Sequence, residues 1–78
     1  MDLADAGNVT VPAYLAISRK GYAVHRSGRF MIAENGEHRF LAEGPLQLLG
    51  LIALVEVRGE SWQASDDEID AYLARFES

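Results

Sequence analysis

The stretch Tyr22–Glu43, YAVHRSGRFMIAENGEHRFLAE, decides the fold. Ser27-Gly28 and Asn35-Gly36 cut it into three short runs of mixed apolar and polar residues. Asn-Gly between such runs is the strongest short-range signal for a β-hairpin, because a type I′ turn needs positive φ at both central residues, which glycine and asparagine adopt at low cost. A three-stranded antiparallel meander is therefore expected. If the two pairs are themselves the two-residue loops, Met31 faces Val24 and Phe40, and Ala33 faces Tyr22 and His38. The opposite face then holds Phe30 between His25 and Leu41, and Ile32 between Ala23 and Arg39. Both faces carry apolar groups, and a bulge at either turn would reassign them, since a one-residue slip moves every side chain across the sheet.

Downstream, Gly44-Pro45 opens a helix expected to run to about Val57 and to close at Gly59, with proline in the first turn. Leu48, Leu51, Ile52 and Val55 form one stripe, and Leu46, Leu49, Leu54 and Val57 widen it until most of the circumference is apolar. That pattern predicts a buried central helix, with a buried strand over Leu51–Val57 as its rival. Gly50, unfavourable inside a helix, is expected to mark close packing against the sheet. After a short connection bearing Trp62, Ser65-Asp66-Asp67-Glu68 spells a capping box, and Ile69, Tyr72, Leu73 and Phe76 follow at the spacing of one amphipathic face.

Upstream, Thr10 is a candidate N-cap, Pro12 suits a first turn, and Ala13–Lys20 ends at Gly21. The alanines favour a helix here, although Leu15 and Ile17 also alternate as in a strand. Residues 1–9 are expected to be a flexible tail and residues 10–78 one small α+β domain in the order αβββαα: a three-stranded meander packed against a buried central helix and a C-terminal amphipathic helix.

The composition agrees with a folded chain. In 78 residues, 49% hydrophobic and 24% charged, there is room for one core and a thin stability margin unless a partner covers more surface. No cysteine is present, which removes disulfides, thiolate nucleophiles and cysteine zinc sites and fits a reducing, cytoplasmic location. Asp2 and Asp5, with no positive charge before an apolar run, do not make a secretory signal, and Leu46–Val55 is too short to span a membrane. The net charge of −5 disfavours nonspecific nucleic-acid binding. Its distribution is uneven: Arg19, Lys20, Arg26, Arg29 and Arg39 outweigh Glu34 and Glu37 between positions 19 and 39, whereas seven acids against Arg58 and Arg75 follow from Glu56 onward.

No spacing of residues carries catalytic or cofactor chemistry. His25 and His38 fall on opposite sheet faces and so cannot share a metal, and the acids of residues 66–70 read as a helix cap rather than a cation loop. No phosphate loop, dinucleotide fingerprint, nucleophile elbow or zinc-protease motif is present. The expectation is a protein that is not an enzyme and uses no cofactor or metal: a binding module acting through protein–protein contacts or as a homodimer, with the basic sheet of one copy set against the acidic helix of another. The alternative is a binder of single-stranded nucleic acid or another polyanion. Candidate partner-binding residues are Arg26, Arg29, Phe30, Arg39 and Trp62, the arginines for charge and the rings for stacking or anchoring.

Overall fold

Glycine sets both hairpin turns, one residue later than the pairs themselves suggest. Gly28 (φ 61°) and Gly36 (φ 93°) each occupy the first central position of their loop, and Arg29 and Glu37, which follow, keep negative φ. A type II′ turn asks for this pattern, whereas type I′ needs positive φ twice. Asn35 therefore stands before the loop. Its Oδ1 accepts hydrogen bonds from the amides of Glu37 (3.0 Å) and His38 (2.9 Å), closing the tip with its side chain.

The computed structural model describes residues 1–77, so Ser78, the last position of the expected domain, lies outside the described residues. Strands β1 (Ala23–Ser27), β2 (Phe30–Glu34) and β3 (Arg39–Ala42) form a meander in the order β1-β2-β3. Helix α1 (Thr10–Arg19) precedes it, and α2 (Pro45–Arg58) and α3 (Asp66–Phe76) follow. This is the expected α+β order. The register differs by two residues: Val24 pairs with Ala33 rather than Met31, and Ala33 with Phe40 rather than His38. A shift of two leaves every side chain on its expected face.

The segment 11–19 is helical and Lys20 caps it, and Ala13 and Ile17, four residues apart, are buried together. Thr10 is its first residue and not its cap. A 3₁₀ turn over Gly7–Val9 runs directly into α1, and the Thr10 amide donates to the Gly7 carbonyl. Helices α1 and α2 lie side by side on one face of the sheet, α2 against β2 and β3 and α1 against β1. Ile17, Ala33, Leu48 and Ile52 are fully buried between the layers, flanked by Tyr22, Val24, Met31, Phe40, Ala42 and Leu49. Lys20 and Glu56 join the two helices at 2.8 Å.

Only one side of α2 has a sheet to meet, so its broad apolar stripe is incompletely covered. Leu51 and Val57 are exposed, and Gly50 is exposed too, with no atom within 4 Å of where a Cβ would stand. Close packing does not explain this glycine. Gly50→Ala is expected to raise stability by about 1 kcal/mol in denaturant unfolding, because alanine restricts the unfolded chain and fits the helix; a loss of stability would contradict the open space seen here. No helix among the described residues is long and apolar enough to cross a membrane.

Helix α3 forms for local reasons. Ser65 Oγ accepts from the Glu68 amide (3.2 Å), Glu68 Oε1 accepts from the Ser65 amide (2.9 Å), and three acids occupy the positive first turn. Every residue of α3 is nonetheless exposed, and the helix makes no extensive contact with any other element. The chain as a whole is open. Its accessible surface is 6121 Å², against about 4,700 Å² for a compact monomer of 8.6 kDa. Its radius of gyration is 14.6 Å, against about 11.5 Å for a compact chain of this length.

Candidate partner-docking surface

The face of the sheet turned away from α1 and α2 is built in three cross-strand rows. Ser27 pairs with Phe30 at one end; His25, Ile32 and Leu41 form the middle row; Ala23, Glu34 and Arg39 form the other end. Alternation along each strand places them there, and no helix among the described residues packs over them. Ile32, on the central strand, is 3% exposed between its neighbours, whereas Leu41 on the edge strand is 43% exposed. The Arg29 guanidinium stands over the Phe30 ring at 5.1 Å, and Arg39 Nε approaches Glu34 Oε2 at 3.5 Å. The face thus has Ile32 and Leu41 beside His25 in its middle row, with Arg29 at one end and the Arg39–Glu34 pair at the other.

Among the residues singled out from sequence, Arg29, Phe30 and Arg39 come together on this face. Arg26 does not, because its place in β1, between His25 and Ser27, points it to the side that carries Val24 and Met31, where it sits exposed beyond the helices. Phe40 belongs to the covered side, edge-on to Tyr22 at 6.0 Å and tilted against His38 at 5.9 Å. The rings Phe30 and Phe40 therefore lie on opposite sides of the sheet, as do Arg26 and Arg39. Trp62 is also on the helix side. It borders a shallow apolar cleft of about 170 Å³ with Phe40, Leu51, Leu54 and Val55, and stays 44% exposed. Sequence reasoning set His25 and Leu41 on this face, flanking Phe30, but did not name them as partner-binding candidates; the observed register places both beside Ile32.

A second uncovered apolar surface lies on α3, where Ile69, Tyr72, Leu73 and Phe76 are between 43% and 61% exposed. Arg58, at the end of α2, ties the connection and the first turn of this helix to α2. Its Nε donates to the Trp62 carbonyl (3.0 Å), and its Nη2 donates to the Gln63 carbonyl (3.3 Å) and to Glu68 Oε1 (3.2 Å). The Ser65 amide, followed by the Arg58 guanidinium, lowers the Glu68 pKa below its ordinary value. A lowered carboxylate pKa contributes stability that is complete above the ordinary glutamate value and is lost as pH falls through the lowered one. Helicity of α3, followed by amide exchange along the chain, is accordingly expected to weaken in that acid range before the α1–sheet–α2 unit does. Glu68→Gln should reduce that pH dependence.

No group of three or more metal-ligating side chains occurs among the described residues, and His25 and His38 stand on opposite faces. Comparison with family models, curated proteins and solved structures finds no match. What the chain offers a partner is therefore read from its own surface: a sheet face and a helix face, both apolar and both uncovered.

Proposed function

We propose that this chain is a non-catalytic binding module that engages a protein partner through the open face of its sheet. The observation that carries this is Leu41, 43% exposed beside Ile32 in the middle row of a face that no helix covers. An edge-strand leucine continuous with a buried isoleucine, with Phe30 and Arg29 toward one end of the face and Arg39 and Glu34 toward the other, has the make-up of an interface centre, apolar within and polar at the rim. The surface in excess of that of a compact monomer supports the same reading, because a small domain gains stability when a partner covers what it cannot.

A photoreactive residue substituted for Leu41 tests the proposal in cells, with the same residue at Glu37 on the hairpin tip as the control. Covalent protein adducts are expected from position 41 and not from position 37. Equal labelling, or none, refutes docking through this face, and adducts to nucleic acid at position 41 would establish the polyanion alternative instead.

A further inference from the structure

We propose that two copies of this chain pair reciprocally, helix α3 of each lying on the open sheet face of the other. This rests on the reading of that face as a docking surface, and names its occupant as a second copy.

The two uncovered surfaces match in size. An eleven-residue helix is about 16 Å long and about 10 Å across. The five-residue strands β1 and β2 run about 17 Å, and with the four-residue β3 beside them the sheet is about 10 Å wide. One helix of this length covers one such face. The charges are opposed as well: α3 carries Asp66, Asp67, Glu68 and Asp70 against Arg75, whereas the ends of the sheet face carry Arg29 and Arg39 against Glu34. Opposed charges of this kind set orientation more than strength.

The helix cannot readily serve its own sheet. Helix α2 lies on the covered side against β2 and β3, and the connection after it stays on that side, with Trp62 beside Phe40 and its carbonyl bonded to Arg58. Reaching the open face within one chain would take α3 around the edge of β3 and break the Arg58 bonds. A second copy meets no such obstacle.

The area suffices. A stable interface removes about 800 Å² per partner, and the surplus over a compact monomer is about 1,400 Å² across the whole chain, the exposed residues 1–6 included. Each copy contributes twice, once through α3 and once through its sheet, so each contact needs to remove only about 400 Å² per side. Tyr72 and Phe76, rings of about 150–250 Å² each when fully buried, are more than half exposed and supply much of the helix share. A reciprocal exchange is two-fold and closed, so it ends at a dimer rather than a filament.

Sedimentation of the full chain is expected to give twice the 8.6 kDa mass at micromolar concentration, with dissociation promoted by salt. Leu41→Asp and Phe76→Asp should each give monomers of unchanged helix content. Because the chain has no cysteine of its own, the variants L41C and L73C, mixed and oxidised, should yield a disulfide between unlike copies. A monomeric native chain overturns the pairing, and so does a dimer that survives both aspartate variants. An L41C/L73C double variant that oxidises within a single chain overturns it in favour of α3 folding onto its own sheet. A monomer whose position 41 still labels another protein leaves the docking reading standing and removes only the pairing of copies; a monomer that labels nothing removes both.

Discussion

Leu48→Ala is expected to lower stability by about 3 kcal/mol, the middle of the range for a fully buried leucine truncated in a well-packed core. Leu48 is 0% exposed and sits in the cluster with Ile17, Ala33 and Ile52 that joins α1, α2 and the sheet. A domain of this length has roughly 4–12 kcal/mol in total, and one with so few fully buried side chains belongs toward the lower end. The loss should therefore move the unfolding midpoint by about 12–24 °C. Leu51→Ala supplies the contrast: the same atoms are deleted one turn along the same helix, but Leu51 is 37% exposed, and its loss should cost about 1 kcal/mol or less. Urea unfolding of both variants decides the matter. If the two cost the same, the layer between α2 and the sheet is not where this fold gains its stability.

The contrast between those leucines also explains what could be read in advance. Leu48, Leu51, Ile52 and Val55 look equivalent in sequence, because a stripe reports only that a helix has an apolar side. How much of that side is covered depends on the width of the layer beneath, which a three-stranded sheet limits. The faces of the meander were legible, since alternation by two survives a register shift of two; the shift itself was not, because Gly28 and Gly36 could serve as the first or second residue of their loops. Arg26 could have been set apart from Arg29 and Arg39 by that same alternation, which assigns it to the side of Val24. Helix α3 was legible down to its cap, as Ser65 and Glu68 act within one turn. The exposure of its apolar face was not, because an amphipathic pattern is the same whether the matching surface belongs to its own chain or to another.

That exposure depends on the direction in which the chain leaves α2, and Gly59 sets it. Its φ of 77° and ψ of −164° lie in a region that only glycine occupies without a penalty of about 1–3 kcal/mol. Nothing lies within 4 Å of the position a Cβ would take, so the strain in Gly59→Ala comes from the backbone alone. The variant has two courses. It keeps the path and loses about 1–3 kcal/mol, or it turns to negative φ and sends Glu60–Ser65 elsewhere, breaking the Arg58 bonds to the Trp62 and Gln63 carbonyls. In the second course Trp62, the only tryptophan, leaves Phe40 and Val55 for water, and its emission shifts to the red while the core around Leu48 stays folded. Gly7→Ala, at a glycine with neither positive φ nor neighbours, should change neither stability nor emission. If Gly59→Ala proved equally silent, the backbone at Gly59 would not be what directs α3 away from its own sheet, and the separation of helix and sheet within one chain would lose its cause.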